Sequence, residues 1–335
     1  MSLAFSLPQA LEASAPPEAR GLARDEVSLL VSNAHADSHE VHTFNELANF
    51  LDPGDLLVVN DSATIPAALE ARYHNEEFPL HLSTKFSDFL WLVEPRSHIP
   101  FAPGAKISLP EDSTLTLLGP FGALRPRLWY AQLDIPDDVA SYLNRNGRAI
   151  TYNYLRSRWP LSYYQTIFAK EPGSVEMPSA ARPFSLRTLE TLRERNIGIA
   201  TITLHCSVAS PESREAPVME WMSVSPRTAE IVTITRARQQ RIVAVGTTAV
   251  RALESATDDT GEPIAFRGWT GHVVNSKHPP RIASALLTGF HEPQASHLAM
   301  LEAFTPPKFL RNSYDAALQA RLLWHEFGDV HLVLP

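Results

Sequence analysis

Apolar residues follow two different spacings along this chain. Residues 43–51 place them at helical intervals, whereas Leu-Leu-Val-Val at 56–59 is an unbroken apolar run typical of a buried strand. From residue 185 onward the two patterns alternate, since a helical stripe over 185–196 precedes a β-branched run over 197–204. Alternation of this kind favours a mostly parallel sheet with flanking helices.

The alternation continues towards the last residues. Ser225-Pro226 has the N-cap and first-position chemistry of a helix start, and residues 242–245 form another short apolar run. Further strands and helices are predicted at residues 248–256, 283–287, 297–304, 314–327 and 330–334.

A different pattern occupies residues 78–134. Short runs with strand character, such as FLWLVE and AKISL, are separated by Pro, Gly and Asp clusters about every 8–12 residues. The predicted fold class is therefore α/β, a mostly parallel sheet with flanking helices plus an inserted small antiparallel β-barrel. We expect residues 1–62 and 148–335 to form the α/β domain with the ligand site, and residues 63–147 to form the barrel.

Composition narrows the class of protein. The chain has 335 residues, of which 44% are hydrophobic, which is enough for a sizeable core. Its 29 basic and 37 acidic side chains give a net charge of −8, which excludes a protein that coats nucleic acid through bulk charge. The net charge still allows a local basic groove, and the best candidate for it is the run Arg145, Arg148, Arg156 and Arg158. The alternative is that this run is a solvated surface.

Several kinds of site are disfavoured. The single cysteine, Cys206, excludes an intrachain disulfide and a thiolate zinc site, and the histidines show no paired metal spacing, so we expect no metal. No apolar stretch approaches about 18 residues, and residues 1–20 lack the pattern of a signal peptide. We therefore expect a cytoplasmic protein without a membrane partner, and its oligomeric state is left open.

The segment RIVAVGTTAVRALES carries the most informative local pattern. Gly246 makes a tight turn between a strand and a helix whose start holds Thr247, Thr248 and Arg251. Ligands of open α/β sheets bind beyond the carboxyl ends of strands, where helix N-termini offer free N–H groups. The Arg251 guanidinium can hold a carboxylate or phosphate there. In the alternative, Thr247 caps the helix and Arg251 pairs with Glu254.

Two further strand ends carry polar groups. His205 closes one predicted strand, where it can bind a ligand or carry a proton, and the adjacent Cys206 points to the opposite face. Phe290-His291-Glu292 follow another predicted strand. The alternatives are a structural histidine and a solvent-facing turn. Aromatic residues that can stack bases or pack the core are Trp91, Trp129, Trp159, Tyr163 and Tyr164.

Five stretches, taken in order, resemble one protein family. Residues 52–69, DPGDLLVVNDSATIPAAL, are similar to PGDLLVxNxTRVIPARL, and residues 164–180, YQTIFAKEPGSVEMPSA, are similar to YQTVYAxxPGAVAAPTA. Residues 246–255 are similar to GTTSVRxLES, residues 288–304 to TNFHLPxSTLLMLVSAF, and residues 327–329, FGD, to YGD. By these motifs the chain resembles the S-adenosylmethionine:tRNA ribosyltransferase-isomerase family of queuosine biosynthesis.

The resemblance implies an α/β domain with an inserted β-barrel and an unusual reaction. In that family a base removes a proton from the 5′ carbon of S-adenosylmethionine, and an amine of 7-aminomethyl-7-deazaguanine in the tRNA anticodon loop attacks the ribosyl unit. Adenine and methionine leave, the sugar ends as an epoxycyclopentane, and no metal is required. The expected co-substrate is therefore S-adenosylmethionine, and the expected partner is the tRNA anticodon loop.

The resemblance also suggests roles for individual side chains. His205 and Glu220 are the predicted proton-transfer groups, and His291 is a third predicted catalytic residue that orients a ligand. The predicted substrate-binding residues are Tyr164, Gln165, Thr166, Gly246, Thr247, Thr248, Arg251 and Phe290.

The chain departs from the family motifs where the family has glycine, histidine or arginine. The family's HxMHxE is EAPVME at residues 215–220, which keeps only the final Glu220. The other departures are Ala63, Ala68, Ala181, Pro183, Val208 and Pro211. Loss of a proton-carrying histidine or a phosphate-binding arginine typically costs orders of magnitude in rate.

Three functions follow from this pattern of matches and departures. The first is ribosyl transfer from S-adenosylmethionine to a deazaguanine in tRNA. The second is a divergent paralogue that uses or cleaves the same donor with a small-molecule acceptor. The third is a non-catalytic binding protein on the same fold. Adenine release that depends on tRNA distinguishes the first function from the other two.

Overall fold

The computed structural model describes residues 5–122, 127–208, 218–293 and 295–335. Within these residues the chain forms seventeen strands and six α-helices. The strands are β1 (Ser28–Asn33), β2 (Ser38–Thr43), β3 (Leu56–Asn60), β4 (Ser62–Thr64), β5 (Ala68–Tyr73), β6 (Glu76–Lys85), β7 (Leu90–Pro95), β8 (Lys106–Ser108), β9 (Thr114–Phe121), β10 (Leu128–Asp134), β11 (Glu171–Ser174), β12 (Gly198–Leu204), β13 (Glu220–Val224), β14 (Ile242–Val245), β15 (Phe266–Thr270), β16 (Ala285–Gly289) and β17 (Val330–Leu334). The helices are α1 (Val139–Asn146), α2 (Leu186–Glu194), α3 (Pro226–Ala237), α4 (Thr247–Ser255), α5 (Ser296–Leu301) and α6 (Pro307–Gln319).

Nine strands form one large sheet in the order β15-β13-β12-β3-β14-β16-β17-β1-β2. Its centre, β12-β3-β14-β16, is parallel, and so is the pair of β17 with β1. The other four neighbouring pairs are antiparallel. The α/β class is confirmed, but the prediction of a mostly parallel sheet is wrong, because the sheet is mixed.

The antiparallel pairs have a simple physical origin. The link between β1 and β2 is a four-residue turn, and two parallel strands need a much longer crossover connection. Strand β17 lies antiparallel to β16 although α5 and α6 separate the two in sequence. Strand–helix alternation predicts which elements exist, and it leaves the direction of each returning strand open.

The central strands are apolar at every position because both faces of the sheet are covered. In β3, Leu56 and Val58 pack into the cluster that contains Leu253 of α4. Leu57 and Val59 of the same strand point to the other face and pack into a second cluster, with Leu192 of α2. Consecutive strand residues point to opposite faces, so a continuous apolar run predicts this two-sided burial.

The inserted barrel is confirmed as a closed ring of six antiparallel strands, in the order β10-β7-β6-β5-β8-β9. Its interior is filled by side chains such as Leu80 and Leu115, and Trp91 and Trp129 are also buried there. The chain enters and leaves the barrel at one point, since the backbone N–H groups of Ala68 and Arg148 each donate to the other's carbonyl at 2.9 Å. Closure leaves the barrel without free strand edges.

Capping chemistry fixes several predicted helices. The hydroxyls of Ser185 and Ser225 accept hydrogen bonds from backbone N–H groups at the starts of α2 and α3. The prediction of a helix over 314–327 is wrong in its bounds, because α6 starts at Pro307 and the chain turns left-handed at Arg321, where φ is 58°. Among the described residues, no helix combines the length and the apolar character needed to cross a membrane.

Asn60, at the end of β3, joins three elements through one buried side chain. Its amide nitrogen donates to the Leu204 carbonyl at 2.8 Å and to Thr248 Oγ1 at 3.4 Å. Its Oδ1 accepts from the backbone N–H groups of Leu204 and Ser62 at 3.0 and 3.1 Å. The side chain is fully buried. Asn60 therefore fixes the ends of β3 and β12 and the start of α4 relative to one another.

The substitution Asn60→Ala is expected to lower the free energy of unfolding by about 2–4 kcal/mol, because buried backbone groups lose their partners. Urea unfolding followed by circular dichroism measures this loss. Asn153→Ala, at an exposed position, is the control and is expected to change stability by less than about 0.5 kcal/mol. Equal stability of the two variants would contradict the role given to Asn60.

Candidate functional site

Several of the predicted site residues lie where the four parallel central strands end. Asn60 is the last residue of β3, His205 follows β12, and Gly246 follows β14. Phe290 follows β16. Because these strands are parallel, their carboxyl ends lie at the same edge of the sheet, which is where open α/β sheets bind ligands.

His205 is held in place by hydroxyl groups and an aromatic ring. Its Nδ1 lies 2.8 Å from Ser62 Oγ, which accepts a hydrogen bond from Ser174 Oγ at 2.7 Å. The ring stacks on Trp221, with 5.1 Å between centroids. Burial lowers the pKa of His205 below its ordinary value, which favours the neutral imidazole. Ser62 and Trp221 therefore hold a neutral imidazole at the end of β12.

Gly173 in β11 provides the room for this histidine. A Cβ atom at position 173 would lie 2.5 Å from the His205 ring, closer than non-bonded atoms can approach. The motif residue Gly173 thus determines where the His205 imidazole sits.

The Gly246 turn opens helix α4 as the sequence predicts. Gly246 has a φ of 90°, a conformation that favours glycine, and its N–H donates to the Leu287 carbonyl at 2.7 Å. Thr247 is buried as the first residue of α4, and Thr248 Oγ1 receives the Asn60 amide. The turn therefore stands beside Asn60 at the strand ends.

Arg251 and Glu220 form a buried ion pair. Arg251 Nη1 donates to Glu220 Oε2, and Arg251 Nε donates to the His272 carbonyl at 3.2 Å. Glu220 Oε1 accepts from both the backbone N–H and the hydroxyl of Ser207 at 2.8 Å. Arg251 does not form the alternative surface pair with Glu254. Glu254 instead accepts hydrogen bonds from three backbone N–H groups. Arg251 and Glu220 are therefore neutralised by each other.

His291 lies in a stack of imidazoles. Its ring lies parallel to that of His297 at 4.7 Å, and its Nε2 lies 3.0 Å from Thr288 Oγ1. Burial lowers the pKa of His291 well below its ordinary value. Burial, with a smaller effect of the Arg251 charge, lowers the pKa of His297 to about 4. His297 thus contacts His291 directly, and the Arg251 charge acts on it.

The remaining predicted substrate-binding residues hold the structure around this edge. Phe290 is buried against Trp324 and Tyr314 in the core. The Gln165 amide donates to the Thr64 carbonyl at 2.7 Å and accepts the Thr64 N–H at 3.0 Å. Thr166 Oγ1 accepts the Phe168 N–H at 3.3 Å.

Tyr164 packs its buried ring against Phe327 of the FGD motif at 5.1 Å between centroids. The Arg182 guanidinium lies over the ring of Phe327, 5.0 Å from the ring centroid. Burial raises the pKa of the Tyr164 hydroxyl, which stays protonated. Two of the five recognised motifs therefore meet at Tyr164 and Phe327.

Sequence reasoning missed a group of acidic and aromatic residues beside this edge, formed by Tyr152, Tyr154, Glu176, His325 and Glu326. Burial, with a smaller effect of Glu176, raises the pKa of Glu326 to about 8. One signal was available, because Glu176 stands where the motif YQTVYAxxPGAVAAPTA has alanine. We refer to these five residues as the acidic aromatic pocket.

The aromatic residues on the outer strands were also missed. Trp221 of β13 and Trp269 of β15 are direct cross-strand partners, so they share one face. The Arg267 guanidinium lies 5.4 Å from the Trp221 ring centroid, and Trp269 lies 5.4 Å from Phe86 of the barrel. We call the surface of Trp221, Trp269 and Arg267 the tryptophan face. It begins at His205, which stacks on Trp221.

The predicted basic run is largely engaged with carboxylates. Arg145 pairs with Glu111 and Asp137, and Arg148 pairs with Glu70. Pro211 and residues 215–217, at which the chain departs from the family motifs, lie outside the described residues. Within the described part of the chain, no group of three or more His, Cys, Asp or Glu side chains is arranged to hold a metal ion.

The fold is that of an α/β protein with an inserted barrel, and its candidate ligand site lies at the ends of the parallel strands. The sequence model of the queuosine biosynthesis protein family matches residues 1–333. The chain therefore belongs to the queuosine biosynthesis protein family.

Its relatives include proteins named S-adenosylmethionine:tRNA ribosyltransferase-isomerase. The one from Trichlorobacter lovleyi is 31% identical and the one from Thermotoga petrophila 32% identical, each over 98% of both chains. The crystal structure of S-adenosylmethionine tRNA ribosyltransferase from Thermotoga maritima is 25% identical over 99% of both chains, with a TM-score of 0.56. The similarity thus covers the sheet and the barrel together.

Arg251→Ala is expected to lower the free energy of unfolding by about 3–5 kcal/mol, because it leaves Glu220 as an unpaired buried carboxylate. The double variant Arg251→Ala with Glu220→Gln is expected to recover part of the loss, since a neutral amide needs no counter-charge. Urea unfolding of the single and double variants measures both effects. Equal losses would show that the ion pair does not control stability here.

Glu326→Gln is expected to stabilise the protein more at pH 8 than at pH 5.5. The folded pKa of about 8 exceeds the ordinary 4.5, so the folded carboxyl holds a proton that the unfolded one releases. Stability is therefore lost as the pH rises from about 4.5 towards 8, and the neutral amide removes this loss, a difference on the order of 2–3 kcal/mol. Urea unfolding at both pH values tests it, and a pH-independent effect would contradict the raised pKa.

Proposed function

We propose that this chain is an S-adenosylmethionine:tRNA ribosyltransferase-isomerase that acts on a 7-aminomethyl-7-deazaguanine base in tRNA and releases adenine and methionine. The observation that carries the proposal is the similarity to proteins of that name, which runs over 98% of this chain and 98% of the relative. Similarity over the whole length includes every strand end at which the site residues lie.

The donor nucleoside is proposed to bind at the Gly246 turn. Gly246, Thr247 and Thr248 place a helix N-terminus beside Asn60, where backbone N–H groups face the strand ends. Arg251 lies one turn into the same helix but is paired with Glu220. Its proposed contribution is therefore to hold Glu220 and Ser207 in place, and not to bind a charged group of the donor directly.

His205 is the proposed base that removes the 5′ proton of S-adenosylmethionine. The adjacent sulfonium acidifies this proton, and a neutral imidazole can accept it. The hydrogen-bonded Ser62 and the stacked Trp221 hold the ring in one orientation. Glu220 accepts hydrogen bonds from Ser207 and Arg251, and it is proposed as a group that positions the loop after β12.

The tryptophan face is the proposed contact for the anticodon loop. Unpaired bases stack on aromatic rings, and arginine adds a cation for the phosphate backbone. Trp221 and Trp269 provide two rings on one face, and Arg267 is exposed beside them. Because His205 stacks on Trp221, a base held there would bring its own amine close to the proposed proton acceptor.

The experiment incubates the protein with S-adenosylmethionine and an anticodon stem-loop RNA that carries 7-aminomethyl-7-deazaguanine, and measures adenine by chromatography. Release of adenine that requires the RNA is expected. Release without RNA would instead support a small-molecule acceptor or simple cleavage. Absence of both turnover and heat of binding in calorimetry with S-adenosylmethionine would contradict the proposal.

Two variants refine this experiment. His205→Asn is expected to lower kcat by about 100-fold or more, with the affinity for S-adenosylmethionine unchanged, whereas His74→Asn at an exposed barrel turn is the control. Trp269→Ala is expected to raise the KM for the RNA about tenfold with little effect on kcat, because a base loses its stacking partner. An unchanged kcat in His205→Asn would remove that residue from the mechanism.

A further inference from the structure

The acidic aromatic pocket is a connected group that the proposed chemistry of His205 leaves unused. The Tyr152 hydroxyl donates to Glu176 Oε1, and Glu326 follows His325 directly in the chain. Tyr154 lies flat on the His325 ring, with 3.9 Å between centroids and 7° between planes. Tyr152 stacks on Tyr154 at 5.9 Å. Two carboxyl groups are thus lined up along a layer of aromatic rings.

Three buried polar atoms in this region lack a hydrogen-bond partner among the described residues. They are Glu326 Oε1, His325 Nε2 and the Tyr164 hydroxyl oxygen. The His325 side chain is 7% exposed and Tyr164 is 2% exposed. Buried polar atoms are nearly always paired in native proteins, so unpaired ones indicate a group that is supplied from outside.

A small cavity lies next to two of these residues, His325 and Glu326. His325 and Glu326 line it, together with Gly289 at the end of β16 and Ser179. Its volume is about 10 Å³, which is room for one water-sized group. The end of a substrate fits such a space, whereas a whole base does not.

The surrounding charge is negative. Besides Glu176, Glu12 and Glu292 contribute carboxylates, which lie 3.7 and 3.6 Å from the two ring nitrogens of His325. Burial lowers the pKa of His325 to about 4, so the ring is neutral near pH 7 and does not offset these carboxylates. Arg182 also lines the cavity, but its guanidinium is bound to Glu18 at 2.8 Å.

We propose that the acidic aromatic pocket is a subsite for a primary ammonium group. An ammonium is about the size of a water molecule and carries three N–H donors, so it fits the cavity and can donate to the two unpaired atoms of its lining residues, Glu326 Oε1 and His325 Nε2. Aromatic faces and carboxylates both attract such a cation. A sulfonium has the charge but no N–H donor, so it would leave the acceptors unpaired.

The subsite is a property of this chain and not of the motif it resembles. Glu176 stands where the motif has alanine, so one of the two carboxylates is an addition. The raised pKa of Glu326 agrees with a site that is incomplete without a cation, because a bound ammonium stabilises the ionised carboxylate.

The source of the ammonium rests on the proposed function, which supplies two candidates. One is the aminomethyl group of the acceptor base, and the other is the amino-acid ammonium of S-adenosylmethionine. Two pairs of probes distinguish them by calorimetry without turnover. The first pair is stem-loop RNA with 7-aminomethyl-7-deazaguanine or 7-methyl-7-deazaguanine, and the second is S-adenosylmethionine or its deaminated analogue.

In one of the two pairs, the unsubstituted protein is expected to bind the ammonium-bearing probe about tenfold more tightly than its partner probe, equivalent to about 1.4 kcal/mol. Glu326→Gln and Glu176→Ala are each expected to reduce that preference to less than about threefold, and thermal unfolding confirms that each variant is folded. Glu190→Gln, at an exposed position of α2, is the matched control and keeps the preference of the unsubstituted protein.

The outcomes separate this subsite from the proposed function. The absence of preference in both pairs, or preference retained in both pocket variants, overturns the subsite. If the unsubstituted protein shows the preference but releases no adenine, the subsite is supported and the proposed function is contradicted. If the unsubstituted protein releases adenine but both pocket variants keep its preference for the ammonium-bearing probe, the proposed function stands and the subsite is rejected.

Discussion

The arrangement of this protein depends on the buried side chain of Asn60. A single amide ties the end of β3 to both backbone groups of Leu204 and to Thr248 at the start of α4. Such a group is costly to bury unless each of its hydrogen bonds forms, so it admits only one relative placement of these elements. His205 follows directly after Leu204, and its hydroxyl partner Ser62 gives its own N–H to Asn60. The positions of the Gly246 turn and of His205 are therefore set together.

Much of the fold was predictable because its signals are local. Apolar runs mark β3, β12 and β14, and Ser185 and Ser225 mark the starts of α2 and α3. The barrel was predictable from the spacing of its turns. The direction of β17 was not, because it depends on where two long connections place the returning chain. The bounds of α6 were missed because apolar spacing continues beyond Gln319, where the backbone leaves the helix.

The site was predictable to the extent that its residues belong to strand ends. Gly246, Thr248 and His205 lie at the expected edge because position in a parallel sheet determines it. The partner of Arg251 was not predictable, since Glu220 is 31 residues away and nothing in the local pattern joins them. Phe290 directly follows a parallel strand, a position at which open α/β sheets often bind ligands. Its ring instead packs against Trp324 and against Tyr314 of α6.

The paired backbone groups of Ala68 and Arg148 have a consequence for the history of the chain. The two polypeptide connections of the barrel meet one hydrogen-bonded bridge apart, and Gly147 passes so close to the Pro66 carbonyl that a Cβ there would clash. The six-stranded unit is thus entered and left at one place, although Phe86 also contacts Trp269 of the large sheet. Gain of such a unit at this place requires no reordering of any strand of the large sheet.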